Sequence, residues 1–204
     1  AVDQARSVVD KVTQDGGARA DVATVDQIEG DPTAWKRPHL GADTLAILQY
    51  TSGSTGDPKG VMITHGNFVA NARLIQSALR VTASSTGVLW LPFYHDMGLV
   101  GGVVMPMYAG ATVDLMSPQD FLRAPIRWLE ALAERKATIT AAPNFALELC
   151  CDLASAETLE GLDLSHLGCL LTGSEPVNAN TVERFMATFG PYGFRRDAVL
   201  PAYG

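Results

Sequence analysis

Residues 45–64 read LAILQYTSGSTGDPKGVMIT, and two strand-like runs, 45–50 and 61–64, flank a loop of ten residues. That loop, TSGSTGDPKG at 51–60, contains four hydroxyl side chains, three glycines and one lysine. Glycine lets backbone N–H groups curve around an anion, the hydroxyls donate further hydrogen bonds, and the lysine neutralises charge. The stretch therefore predicts a polyphosphate-binding loop between two β-strands.

From residue 45 onward, short apolar or β-branched runs alternate with longer stretches of helical period, which is typical of an α/β fold. We expect a mostly parallel sheet flanked by helices, with 45–50 as a buried strand. Residues 1–44 are interpreted as the end of a preceding subdomain with a connecting loop, and 45–204 as an α/β subdomain truncated at its C-terminal end. The predicted strands are 45–50, 61–64, 87–91, 111–115, 137–141, 166–171 and 198–202, and the predicted helices are 65–80, 95–108, 125–136, 143–153 and 178–189.

Composition narrows the functional classes. With 15 Lys+Arg against 22 Asp+Glu, the net charge of −7 argues against nucleic-acid binding, which needs a basic surface. No apolar run reaches the ~20 residues of a membrane span. The three cysteines are an odd number without Cys-x-x-Cys spacing, and the four histidines share no ligand spacing, so no metal site is expected. These features favour a cytoplasmic protein with reduced thiols.

Two other motifs fit the loop less well. A Walker P-loop needs its lysine followed by Ser or Thr and a helix, whereas Lys59 precedes Gly60 and a strand. Residues 52–56, SGSTG, approximate the nucleophile elbow of a serine hydrolase. Such an elbow must open into a helix, which Pro58 and the β-branched residues of 61–64 oppose.

The loop TSGSTGDPKG resembles the phosphate-binding signature of the adenylate-forming superfamily, which includes acyl-CoA synthetases, adenylation domains, luciferases and fatty acyl-AMP ligases. Further stretches match in order. Residues 91–99, LPFYHDMGL, resemble the His-containing motif in the form typical of fatty acyl-AMP ligases, and 143–146, PNFA, resemble the segment beside their acyl tunnel. Residues 172–176, TGSEP, look like the adenine-binding turn, and 201–204, PAYG, like the start of a Tyr-Gly-x-x-Glu motif.

The resemblance implies four groups of site residues. Without it, His95 and Asp96 are read as structural, with Asp96 capping the next helix, and a core helix would explain Asn144 and Phe145 equally well. The implied groups are ATP-phosphate contacts from Thr51, Ser52, Gly53, Ser54, Thr55, Gly56 and Lys59; catalysis by His95 and Lys59; adenine contacts from Gly173, Ser174, Glu175, Pro176, Tyr203 and Gly204; and an acyl pocket at Asn144 and Phe145.

The implied reaction is activation of a fatty acid by ATP and Mg²⁺ to an acyl adenylate with release of pyrophosphate. The acyl group would then pass to the thiol of an acyl carrier protein or a polyketide synthase carrier domain. A long-chain acyl-CoA synthetase is the nearest alternative, and a non-catalytic ligand-binding or interaction module is a more distant one. The resemblance places the Glu ligand of Mg²⁺ beyond Gly204, so we expect this chain to fold but not to form adenylate alone.

Overall fold

In the computed structural model, which describes residues 2–51 and 58–203 without the side chains of Val25 and Thr51, the chain forms two units. The first, Ala1–Leu40, contains helix α1, Val2–Gln14, and 3₁₀ turns at Val25–Gln27 and Pro32–Ala34. No residue of α1 is buried. The second unit, Gly41–Gly204, carries all the β-strands described below.

The second unit begins with a hairpin of β1, Leu45–Thr51, and β2, Lys59–Thr64, which pair antiparallel. Both strands were expected, but the prediction that 45–50 is buried was wrong. Leu48 is 49% exposed and Tyr50 69% exposed. The hairpin forms a sheet of its own with two strands, so in the part of the chain that the structure describes each strand has a single neighbour.

A second sheet has five strands, all parallel, in the order β4-β3-β5-β6-β7. This arrangement confirms the expected α/β class with a mostly parallel sheet and flanking helices. The strands are β3, Thr86–Leu89; β4, Thr112–Leu115; β5, Ile139–Ala141; β6, Cys169–Thr172; and β7, Val199–Pro201.

From residue 65 onward, the helices follow the predicted order, and α5 is one helix that was not predicted. Local caps explain their starts: Thr64 and Asn67 form a capping box on α2, and the side chain of Asn178 accepts a hydrogen bond from Asn180 N at the start of α8. The helices are α2, His65–Leu79; α3, Asp96–Leu99; α4, Met105–Ala109; α5, Pro118–Arg123; α6, Ile126–Glu134; α7, Asn144–Leu153; and α8, Ala179–Phe189.

Two helical features were not predicted. Helix α5 is short and is started by the Ser117 side chain, with Pro118 at the first helical position. Where one helix was expected over 95–108, a π-helical segment, Val100–Val104, lies between α3 and α4. Met105 N donates to Val100 O, five residues back, just before Pro106, which has no N–H to donate.

In the core, two buried hydrogen bonds join α6 to the sheet. Trp128 Nε1 donates to Thr140 Oγ1 at 3.2 Å, and Thr140 Oγ1 donates to Val88 O at 2.6 Å. Because Trp128 and Thr140 are almost fully buried, these bonds satisfy polar groups that would otherwise be costly. Trp90 stacks on Phe121 with ring centroids 3.9 Å apart. Trp90, Trp128 and Met105 are all buried.

Helices α7 and α8 are joined by Arg184, which forms ion pairs with Glu148 and, at 2.6 Å, with Asp152. Hydrogen bonds from Thr181 and Arg184 lower the pKa of Glu148. These ion pairs link the exposed faces of the two helices. None of the helices in the described residues has the length and apolar character needed to cross a bilayer.

Two glycines in the segment that begins at His95 should respond in opposite ways to alanine. A Cβ at Gly98 would lie 2.1 Å from Pro92 O. Among the described residues, a Cβ at Gly101 would have no atom within 4 Å apart from its chain neighbours and the backbone of its own helix. We expect Gly98→Ala to lower the free energy of unfolding by about 3 kcal/mol. Gly101→Ala should raise it by about 0.5 kcal/mol, because glycine is unfavourable in helices.

Urea unfolding of the full chain, followed by circular dichroism, measures both changes. Equal free energies of unfolding for the two variants would contradict the close approach of Gly98 to Pro92.

Candidate functional site

Four of the motif segments follow the ends of parallel strands. β3 ends at Leu89, β5 at Ala141, β6 at Thr172 and β7 at Pro201. The carboxyl ends of parallel strands share one edge of a sheet, which is where α/β folds bind ligands. The candidate site is therefore built from the residues just after these ends, at 90–97, 142–145, 173–176 and 202–203.

The loop after β3 presents His95 at the start of α3. His95 has extended backbone angles and occupies the N-cap position, so the expectation that Asp96 would be the cap residue was wrong. Asp96 is the first helical residue, and its Oδ1 accepts a hydrogen bond from Met97 N at 2.7 Å. Met97 N also donates to His95 Nδ1 at 3.2 Å, and His95 Nδ1 lies 2.9 Å from Asp96 Oδ1. The imidazole is half exposed, so it is accessible to a ligand.

The turn after β6 packs directly on the segment after β7. Ala202 N donates to Thr172 O at 2.8 Å, and a Cβ at Gly173 would lie only 2.6 Å from Ala202 O. Only glycine fits there, which places Tyr203 immediately beside the turn. The Tyr203 side chain is fully exposed.

Ser174 connects this turn to the His95 loop. Its hydroxyl donates to Met97 Sδ at 3.2 Å, across 77 positions of sequence. Ser174 has a φ of +67°, a left-handed conformation that costs a non-glycine residue about 1 kcal/mol. Strain of this kind clusters at ligand sites and turns, where the surrounding contacts hold it in place.

Asn144 and Phe145, at the start of α7, also contact the turn. Asn144 Nδ2 donates to Pro176 O at 2.7 Å, and Asn144 Oδ1 accepts from Asn178 N at 3.2 Å. Phe145 N donates to Glu175 Oε1 at 3.3 Å. We call these three hydrogen bonds the α7 brace. Sequence reasoning missed the brace, and no local signal could have revealed it because the partners are 30 to 34 positions apart.

The side chains of Asn144 and Phe145 differ in exposure. Asn144 is buried, and its amide oxygen and nitrogen are both used in the α7 brace. Phe145 is 46% exposed and packs edge-on against Trp90, with ring centroids 6.0 Å apart. Phe145 is thus the residue of this pair that offers an apolar face at the edge of the sheet.

Lys59 lies in the hairpin, as the first residue of β2, with an exposed side chain. Its register partner across the hairpin is Thr51. Most of the loop expected to hold phosphates is outside the described residues, as is the last residue of the 201–204 segment, an expected adenine contact. The expected site residues that fall there are Ser52, Gly53, Ser54, Thr55, Gly56 and Gly204.

Neither thiols nor a metal cluster is found at the site. Cys150, Cys151 and Cys169 are free and buried. Burial raises the pKa of Cys150 and Cys151, and raises that of Cys169 to about 11, so these thiols stay protonated and poorly nucleophilic. Within residues 2–51 and 58–203, no group of three His, Cys, Asp or Glu side chains lies close enough together to hold a metal ion.

Comparison with known proteins identifies a family and several similar proteins. The profile of the AMP-binding enzyme family matches residues 1–204. The chain is 48% identical over 177 residues to the medium-chain-fatty-acid–acyl-carrier-protein ligase JamA of Moorena producens, covering 85% of this chain and 30% of that protein. It is 44% identical over 177 residues to 4-hydroxyphenylalkanoate adenylyltransferase of Mycobacterium tuberculosis, covering 85% and 28%. The chain thus spans less than a third of the length of these relatives.

Solved structures agree in fold. A fatty acyl-adenylate ligase from Legionella pneumophila, in complex with acyl adenylate and pyrophosphate, superposes with a TM-score of 0.79 at 41% identity, over 84% of this chain and 30% of that one. McyG A-PCP complexed with phenylalanyl-adenylate superposes with a TM-score of 0.85 at 26% identity, over 98% of this chain and 32% of that one.

The α7 brace predicts a stability cost for an isosteric apolar change. Asn144→Leu leaves Pro176 O and Asn178 N without their partners in a half-buried setting, so we expect the free energy of unfolding to fall by about 2 kcal/mol. Asn71→Leu, at an exposed position on α2, is the control and should change it by less than about 0.5 kcal/mol.

Thermal unfolding of the full chain compares the two variants. The same loss of stability in both variants would show that the hydrogen bonds of Asn144 do not stabilise the fold.

Proposed function

The chain belongs to the AMP-binding enzyme family, and on that basis we propose that the protein carrying it activates a fatty acid with ATP. The products of this step are an acyl adenylate and pyrophosphate, and the acyl group then passes to the thiol of a carrier protein. The observation that carries the proposal is the Ser174 contact to Met97, because it joins the turn assigned to adenine to the loop that bears His95.

The proposed chemistry is an in-line displacement. An oxygen of the fatty acid carboxylate forms a bond to the α-phosphorus, and the bond from that phosphorus to the bridging oxygen of pyrophosphate breaks. Negative charge moves onto the leaving pyrophosphate, where the loop 51–59 with Lys59 stabilises it. His95 is proposed to contact the carboxylate or a phosphoryl oxygen, and no covalent bond to the protein is needed.

Adenine is proposed to lie between the turn 173–176 and Tyr203. The exposed phenol ring of Tyr203 offers a stacking surface beside Gly173, whose missing side chain lets the turn lie against Ala202. The backbone of the turn supplies hydrogen-bond groups for the edge of the base. Glu175, with one carboxylate oxygen engaged by Phe145 N, is proposed to hold the shape of the turn.

A fatty acid is the proposed substrate because the acyl side of the site is apolar. Phe145 presents a half-exposed ring backed by Trp90, while Asn144 turns its polar atoms towards the α7 brace. JamA and the Legionella protein, both named for fatty acyl substrates, support this class. The name of JamA also supports a carrier protein as acceptor, here an acyl carrier protein or a polyketide synthase carrier domain.

Mg²⁺ is part of the proposal as the partner of ATP. The described residues contain no cluster of acidic ligands that would fit the ion. Its Glu ligand is proposed to lie outside the 204 residues. The use of ATP, together with the three free cysteines, supports a cytoplasmic location.

The proposed function predicts a product. When the full protein is incubated with ATP, Mg²⁺ and medium- to long-chain fatty acids, mass spectrometry should detect acyl adenylate that persists when coenzyme A is added. Conversion to acyl-CoA would instead identify an acyl-CoA synthetase, the class named for the putative fatty-acid–CoA ligase FadD21 of Mycobacterium tuberculosis, which is 46% identical over 167 residues. If neither product forms with any acid tested, the proposed activity is contradicted and the alternative of a non-catalytic binding module remains.

Lys59 provides a test at a single residue. Lys59→Ala removes the positive charge from the proposed phosphate loop, so we expect pyrophosphate release by the full protein to fall by roughly 100-fold. Lys11→Ala, an exposed lysine on α1, is the matched control and should leave the rate unchanged. Equal rates for the two variants would remove Lys59 from the proposed mechanism.

A further inference from the structure

The first turn of α7 has no cap of its own. The N-cap residue is Pro143, whose side chain has no atom that could accept a hydrogen bond, and residues 144–147, NFAL, contain no acidic side chain. The first N–H groups of a helix have no carbonyl within that helix to bind, so they need other partners. Serine, threonine, aspartate or asparagine at the N-cap would supply one. Helix α7 must therefore obtain its cap from another part of the chain.

Glu175 supplies this cap. Ala146 N donates to Pro143 O at 3.1 Å, whereas Phe145 N donates to Glu175 Oε1 at 3.3 Å, across 30 positions of sequence. Among the residues that the structure describes, Phe145 N has no other acceptor. A carboxylate in this place binds a free N–H group and also interacts favourably with the positive end of the helix dipole.

The two sides of this hydrogen bond are not held equally. The turn that bears Glu175 has further contacts, because Gly173 lies against Ala202. The Ser174 hydroxyl also donates to Met97 Sδ. Loss of the Glu175 carboxylate would leave these contacts in place but would leave the second residue of α7 without a partner for its N–H group. The backbone of the first turn of α7 is therefore what the carboxylate holds.

The residue held in this way is the one that offers an apolar face to the site. Phe145 is 46% exposed, and its ring packs edge-on against Trp90 with centroids 6.0 Å apart. Trp90 is fixed from behind, because it is buried and stacks on Phe121 at 3.9 Å. The position of the Phe145 ring thus depends on a rigid neighbour and on its own backbone, and that backbone is bound to Glu175.

We propose that Glu175 is a positioning residue for the acid, which caps α7 and thereby fixes the Phe145 ring that sets the width of the acyl pocket. The proposal rests on the proposed function, which assigns Phe145 to that pocket. It gives Glu175 a role different from the adenine contact that the resemblance implies. A fixed ring favours a straight alkyl chain over a bulky one, and pockets of this kind discriminate by about 10-fold for one misplaced methylene group.

The kinetic test compares acids in the full protein. Pairs of acids matched in carbon number, one straight and one ending in a phenyl ring, place the ring at increasing distance from the carboxylate. Glu175→Ala should raise the ratio of kcat/KM for the phenyl acid to that for the straight acid by roughly 10-fold in at least one pair. Glu175→Gln keeps an acceptor oxygen for Phe145 N and should keep every ratio within about twofold of the wild type. Glu160→Ala, at an exposed position between α7 and β6, is the matched control and should leave the ratios unchanged.

The ratio separates positioning from other effects of the substitution. Loss of an adenine contact, or of folded protein, lowers kcat/KM by the same factor for both acids, because the nucleotide and the fraction of folded enzyme are common to them. Unchanged ratios in Glu175→Ala would therefore overturn the proposal.

A double-mutant cycle tests whether Glu175 acts through Phe145. Phe145→Ala should raise the ratio, and Glu175→Ala should add less than twofold in that background, because the ring that it positions is gone. Independent, multiplicative effects of the two substitutions would also overturn the proposal.

Hydrogen exchange followed by mass spectrometry gives a readout that is independent of activity. Peptides that cover residues 143–150 should exchange their first-turn amides roughly 5-fold faster in Glu175→Ala than in the wild type or in Glu175→Gln, because a helix cap has been removed. Equal exchange in the wild type and Glu175→Ala would overturn the proposal whatever the kinetics. A protein that forms no acyl adenylate but shows the faster exchange would instead contradict the proposed function and keep Glu175 as the cap of α7.

Discussion

Parallel pairing of the strands is the constraint on which the candidate site depends. Because β3, β5, β6 and β7 run in the same direction, the segments that follow them are delivered to one edge, although they are far apart in sequence. The buried hydrogen bonds that join Trp128, Thr140 and Val88 hold two of these strands to helix α6. A change that shifted this register would therefore move the His95 loop and the 173–176 turn relative to each other.

Contacts between the delivered segments then set the shape of the site. Ser174 reaches Met97, Gly173 lies against Ala202, and the α7 brace ties the start of α7 to the same turn. Each contact is made by a residue within the motifs themselves. The motif residues therefore have two roles. Some supply the groups proposed to face a ligand, and others hold those groups in place.

Periodicity and local caps were enough to predict most of the fold from the sequence. The predicted helices 65–80 and 178–189 correspond to α2, His65–Leu79, and α8, Ala179–Phe189, and their caps, Thr64 and Asn178, are residue types that favour helix starts. Contacts over long sequence distances could not be predicted in this way. The hydrogen bond from Asn144 to Pro176 spans 32 positions, and the exposure of the first hairpin depends on which strands pair beside it. The π-helical segment was not predicted either, because the period of the apolar residues does not distinguish it from an α-helix.

The α7 brace has a consequence for protein engineering. On the proposed function, α7 forms one wall of the acyl pocket, so a designer who wished to accept a bulkier acid would first think of reshaping its N-terminal turn. That turn is hydrogen-bonded through Asn144 and Phe145 to the segment assigned to the base of ATP. Acid selectivity and nucleotide affinity would therefore change together, and altering one alone would require compensating substitutions on the opposite side of these hydrogen bonds.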